Sequence, residues 1–78
     1  MIGKVLKYMR KKRNFKQQQI SEIVGVARNT ISQYETETIQ PTFEIIEKIA
    51  NECGYKIYFE IFDGTEKFES KDINRKDI

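Results

Sequence analysis

Four polar side chains, Arg28, Asn29, Ser32 and Gln33, fall at i, i+1, i+4 and i+5 in the stretch ARNTISQYE, a spacing that turns them together onto one face of a helix. Their chemistry is recognition. Arginine pairs bidentately with guanine, and asparagine or glutamine with adenine, on the major-groove edges of base pairs. Reaction chemistry has no comparable footing. The chain lacks histidine and holds one cysteine, Cys53, which removes Ser-His and Cys-His nucleophiles and the ligand set of a zinc site. It has no glycine-rich phosphate loop, and its carboxylates fall on exposed helix faces and in the tail. No catalytic residue, metal or cofactor is therefore expected.

Two short helices have to position that polar face. The run FKQQQISEIVGVARNTISQYE, Phe15 to Glu35, reads as a helix over about Gln17–Val24, a turn at Gly25, and a second helix over about Arg28–Tyr34. Ile20, Ile23 and Val24 face inward from the first, and Ile31 and Tyr34 from the second. Gly25 stands where a helix ends in a left-handed residue. Ser21, four residues earlier, is the small side chain that lets the helices cross closely.

Around this pair the sequence predicts two more helices. Ile2, Val5, Leu6 and Met9 make one apolar stripe over Ile2–Arg13, with Lys4, Lys7, Lys11 and Lys12 off it. Phe15 anchors the connector Asn14–Lys16. Thr42 is an N-cap after the only proline, Pro41, and Glu44 follows in the first turn where the helix dipole favours an acid. Phe43, Ile46, Ile49, Ala50 and Cys53 form the inward stripe, with Ile45 beside it, and Gly54 ends the helix. Beyond Gly54 the period changes: Tyr55, Ile57, Phe59 and Ile61 alternate with Lys56, Tyr58, Glu60 and Phe62, a strand signature. Asp63-Gly64 can turn that strand into a hairpin with Thr65–Glu69. Residues 70–78 are charged, poor in apolar side chains, and expected to be disordered.

Seventy-eight residues make one domain, short enough to bury only about 60% of its extended surface, so oligomerisation is a natural remedy. Charge is divided along the chain. Residues 1–34 hold eight Lys or Arg against Glu22, a net +7, while residues 35–78 hold six against eleven acids, a net −5. The basic half suits a polyanion. One free cysteine fits a reducing, cytoplasmic setting. No signal peptide is visible, and Tyr55–Phe62 is too short and too charged to span a membrane.

Residues 2–54, about two thirds of the chain, resemble the Cro/phage-repressor (XRE) type of helix-turn-helix domain. The resemblance is carried by Phe15, Gln17, Ile20, Gly25, Val26, Asn29-Thr30-Ile31-Ser32, Tyr34-Glu35, Pro41 and Ile46–Gly54. It implies a mainly α fold, a lambda-repressor-like set of four helices (1–54), here followed by a strand or hairpin (55–69) and a tail (70–78). It also implies roles for particular residues. Arg28, Asn29 and Gln33 face the major groove, with Ser32 and Thr30 touching base or backbone. Gln17 contacts a phosphate through its side chain or the helix N-terminus. Lys12, Lys16 and the loop residues Thr36, Thr38 and Gln40 are further phosphate contacts. Arg10 and Glu35 form a semi-buried ion pair.

Three positions depart from the pattern. Lys16 replaces a capping Ser or Thr, at a cost of about 1 kcal/mol. Glu37 replaces a glycine after the third helix and brings a negative charge near the expected phosphate contacts. A strand replaces the fifth helix. A lone strand leaves its edges unpaired. It must pair within its own hairpin or across a two-fold axis. A hairpin alone still exposes Tyr58 and Phe62, which favours the two-fold pairing, as in the β-lid of HipB-like antitoxin repressors, which this segment resembles; the two arrangements are compatible. Tyr55, Ile57, Tyr58, Phe59, Ile61 and Phe62 are then the dimerisation residues. The implied function is a homodimeric regulator, a repressor, on a pseudo-palindromic operator in double-stranded DNA. The alternative is an antitoxin whose main partner is a protein toxin.

Overall fold

The computed structural model describes all residues, 1–78. Four helices come first: α1 (Ile2–Lys12), α2 (Gln17–Val24), α3 (Arg28–Glu35) and α4 (Phe43–Glu52). A two-stranded antiparallel hairpin follows, β1 (Phe59–Glu60) and β2 (Lys67–Phe68), then two single 3-10 turns at Ser70–Asp72 and Arg75–Asp77. No helix is long and apolar enough to cross a membrane.

The core draws on all four helices. Leu6 and Met9 of α1 meet Ile20 and Val24 of α2, Ile31 and Tyr34 of α3, and Ile49 and Ala50 of α4, with Cys53 sealed beneath them. Each fully buried aliphatic side chain contributes roughly 1.5–3 kcal/mol. Burial also pushes the Cys53 thiol up, away from thiolate chemistry. Phe15, Val26, Ile46 and Ile57 cover the margins.

Local chemistry sets the helix ends. Gly25 has φ +79°, and its N–H and that of Val26 both donate to Ser21 O, at 2.9 and 3.1 Å. A methyl group there meets nothing within 4 Å, so the need for glycine is purely conformational. Gly3 is the opposite case. A Cβ on it collides with Tyr34 O and lies 2.7 Å from Glu35 O, because α1 begins pressed against the end of α3. Thr42 Oγ1 accepts from Ile45 N at 3.3 Å and caps α4. At the other end of α4, Arg13 donates to Cys53 O at 2.7 Å.

Several expectations need correction. Ile23, Val5 and Phe43 are exposed. Each sits at the edge of its stripe, and helices of about two to three turns against short neighbours cover only the centre. α1 stops at Lys12. The strand expected over Tyr55–Phe62 is cut to two residues: Tyr55 N instead donates to Ala50 O at 2.8 Å, prolonging the end of α4. Pairing begins at Phe59↔Phe68 and Glu60↔Lys67 and ends in the turn, where Asp63 Oδ1 accepts from Thr65 N and Oγ1 at 3.0 and 2.7 Å. The hairpin is thus the within-chain pairing. It docks through Phe59, whose ring lies 6.1 Å from Phe43 and 5.7 Å from Phe68. Where the sequence predicts disorder from Ser70, the chain has two exposed 3-10 turns, the first tied to α4 by Ser70 Oγ donating to Glu47 Oε2 at 2.6 Å.

Candidate nucleic-acid interface

α2 and α3 form the two arms of the site. Ser21, 2% exposed, lies in their contact and turns its hydroxyl back to Gln18 O at 2.7 Å, so the small side chain leaves no unsatisfied polar group. Ile31, 1% exposed, and Tyr34 hold the inner face of α3. With that face fixed, Arg28, Asn29 and Gln33 are exposed on the opposite side, with Ser32 and Thr30 half-buried beside them. The side chains of Arg28, Asn29 and Gln33 make no hydrogen bond within the protein. Their full donor and acceptor capacity faces outward.

The beginnings of both helices open onto the same surface. Ala27 precedes α3 in an extended conformation and offers no side-chain cap. Lys16 precedes α2, and its ammonium cannot accept a hydrogen bond. Only half of a capping box is therefore made, by Lys16 N donating to Gln19 Oε1 at 2.7 Å. Lys16, Gln17 and Arg28 share one open depression of about 390 Å³, lined only by polar and charged residues, with Gln18 and the edge of Arg10. Gln18 was not legible as a site residue from the sequence, since its position on α2 is polar without a matching partner nearby in the chain.

Behind this surface sits a buried ionic joint. Arg10 Nε donates to Glu35 Oε2 at 2.6 Å and Nη2 to Oε1 at 3.0 Å, a two-pronged bridge between α1 and the end of α3. The third guanidinium nitrogen, Nη1, donates to Phe15 O at 2.7 Å. Both residues are 8% exposed, and every buried polar side-chain atom has a partner. Gln17 Nε2 donates to Glu35 Oε1 at 3.1 Å, so its side chain belongs to this joint, and the helix N-terminus is what α2 presents outward.

The loop after α3 is closed on itself. Thr36 Oγ1 donates to Ser32 O at 3.0 Å, which makes Thr38 the donor in the 2.9 Å contact between the two hydroxyls. Thr38 N and Ile39 N both donate to Gln33 O. Both hydroxyl protons are engaged internally, leaving Gln40 as the loop's free side-chain donor. Glu37, at φ +64°, holds a left-handed conformation that glycine adopts more easily. Its carboxylate turns away from the loop to the start of α1. There it accepts from Gly3 N at 3.1 Å and pairs with the Met1 amino group. The Met1 hydrogen bond, ahead of the Gly3 contact, holds the Glu37 carboxyl below the usual glutamate value.

Lys12 stands apart from these residues. Its ammonium lies 5.7 Å from the Tyr8 ring centroid, on an outer ridge of α1 with Lys4, Lys7 and Lys11.

A helix-turn-helix family model matches residues 6–59. Among curated proteins, the antitoxin PezA of Streptococcus pneumoniae serotype 4 (strain ATCC BAA-334 / TIGR4) is 41% identical over 49 residues, which cover 63% of this chain and 31% of the relative. The chain thus spans about a third of that relative's length. No solved structure matches it. With the family model covering more than half of the sequence, and with two crossed helices displaying an unpartnered polar face, the chain belongs to the XRE-type helix-turn-helix family of DNA-binding regulators.

Proposed function

We propose that the protein is a repressor that binds a pseudo-palindromic operator as a homodimer, with one α3 in each of two successive major grooves roughly 34 Å apart. The observation that carries this reading is the exposed, hydrogen-bond-free trio Arg28, Asn29 and Gln33 on a helix whose opposite face is locked in the core. Arg28 suits guanine, and Asn29 and Gln33 suit adenine, with Ser32 at the margin of the set. The uncapped starts of α2 and α3, together with Lys16, Thr30 and Gln40, supply phosphate contacts that fix register. The backbone N–H groups of Thr36 and Thr38 already donate to Ser32 O and Gln33 O, so these residues reach phosphate by turning their hydroxyl protons outward from the loop, and Lys12 serves only DNA that reaches around α1. Exposed Tyr55, Tyr58, Phe59, Ile61 and Phe62, with half-buried Ile57, supply the dimer contacts. The setting is the cytoplasm.

In vitro selection against a random duplex library tests the reading. Enrichment of an inverted repeat with half-site centres about one helical turn apart is the expected result. Retention of duplexes without any sequence in common, lost uniformly as salt rises, refutes base reading.

The relative's name favours a second reading, in which the protein neutralises a toxin and its DNA binding is autoregulatory. Stoichiometric co-purification of a second protein expressed from an adjoining gene supports this, and its absence removes it.

A further inference from the structure

Only two ion pairs form within the protein, Arg10–Glu35 and Met1–Glu37, although the chain carries 14 bases and 12 acids. The unpaired charges are sorted in space. Lys4, Lys7, Lys11 and Lys12 line the outer ridge of α1, and Glu60, Asp63 and Glu66 belong to the hairpin beside Lys67, while Glu69 lies next to Lys56 and Lys71. Between ridge and hairpin lies an apolar groove of about 530 Å³, lined chiefly by Val5, Tyr8, Phe43, Ile46, Tyr55 and Phe59. Tyr8 belongs to both ridge and groove, so the two are continuous. At the hairpin tip Phe62 is completely exposed and touches no part of the core. Phe59 lines the groove, and Phe62, three positions on, lies in the turn beyond the paired residues, so the exposed ring stands clear of its own core.

We propose that the groove receives the hairpin tip of a second copy of this chain. Phe62 of each copy enters the other's groove, and the hairpin carboxylates meet the partner's Lys4, Lys7 and Lys11. A two-fold axis between the grooves makes the contact self-complementary, with basic ridge on acidic hairpin twice. The inference rests on the homodimer put forward above and names its surface. It also divides the basic half of the chain between two partners: Lys12, Lys16 and Arg28 face DNA, and Lys4, Lys7 and Lys11 face protein. An acidic hairpin held over the ridge shields those lysines from unwanted polyanion contacts.

Sedimentation equilibrium on the full chain tests the interface without DNA. Twice the 9.3 kDa chain mass is expected for the unmodified protein. Lys7→Glu/Lys11→Glu and Glu60→Lys/Glu66→Lys should each weaken self-association at least roughly tenfold, because every affected pair changes from attraction to repulsion. An equimolar mixture of the two variants should recover the dimer, since ridge and hairpin are again opposite in sign at both contacts. Phe62→Ser, at a site outside the core, should weaken association while leaving the helical circular dichroism unchanged. The proposal is overturned by a monomeric unmodified protein, by charge-reversed variants that dimerise with unmodified affinity, or by a mixture that stays monomeric. Each of these outcomes leaves base reading by α3 to be decided separately by the selection experiment.

Discussion

Replacing Glu35 with alanine removes the acceptor of three hydrogen bonds, two from Arg10 and one from Gln17. The Arg10 guanidinium then keeps only Phe15 O as a partner, in a site where its side chain is 10% exposed. Breaking a buried pair from one side costs about 3–5 kcal/mol, because the surviving charge is neither solvated nor paired. The side chains are too buried for solvent screening to reduce that figure much. A 78-residue domain at roughly 0.05–0.15 kcal/mol per residue has about 4–12 kcal/mol in total. Glu35→Ala should therefore lower the melting temperature by at least ~12 °C and leave the protein partly unfolded at 37 °C. The double variant Arg10→Met/Glu35→Leu replaces both charges with apolar groups and should recover most of the loss. Urea denaturation followed by circular dichroism gives the full double-mutant cycle. A cost below ~1 kcal/mol for Glu35→Ala, the value of a solvated surface pair, would refute the assignment of this bridge as a buried joint. So would a double variant no more stable than the single one.

Three further outcomes are expected. Asn29→Ala should lose about 1–3 kcal/mol on a selected operator and relax one base position, whereas Lys16→Ala should weaken all duplexes alike and reduce the salt slope by about one, both measurable by fluorescence anisotropy. Gly25→Ala should cost about 1–2 kcal/mol from its left-handed backbone alone, and Gly3→Ala more, because its methyl group strikes the backbone of α3; chemical denaturation ranks the two. Glu37 and Asp63 both have carboxyl groups held below their ordinary values, by the Met1 amino group and by Thr65 respectively. Each binds fewer protons in the folded chain than in the unfolded one, so its contribution is present above the ordinary value and lost as the pH falls through the folded value. Stability should decline below about pH 4.5, and Glu37→Gln should flatten that acid limb in pH-dependent melts.

The four helices were legible because each has an apolar stripe at helical period and a local end signal. Thr42 and Gly25 act within a few residues of themselves, and the sequence shows such signals directly. Gly3 and Arg13 were not legible in their roles. The contact of Gly3 lies more than thirty residues away on α3, and Arg13 reaches forty residues to Cys53 O. Nothing in a local window announces either. The C-terminal strand was overextended because alternation over Tyr55–Phe62 reports two faces but says nothing about which residues find a partner. The position of Asp63-Gly64 limits pairing to what lies opposite across the turn. Of the interface, the face of α3 could be read from spacing alone, since burying Ile31 and Tyr34 decides where Arg28, Asn29 and Gln33 point. The engagement of Gln17 by Glu35 could not, because two outcomes for one flexible side chain differ by a single hydrogen bond.

The absence of any internal partner for Arg28, Asn29 and Gln33 has an evolutionary consequence. Nothing in the frame depends on their identity: the Arg10–Glu35 bridge, the Ser21 crossing and the Ile31 anchor all lie behind them. Substitutions at these three positions are nearly neutral for folding, so new combinations can be sampled without compensating changes elsewhere. Under the proposed base reading, duplicated copies acquire new operators one side chain at a time while inheriting an unchanged scaffold.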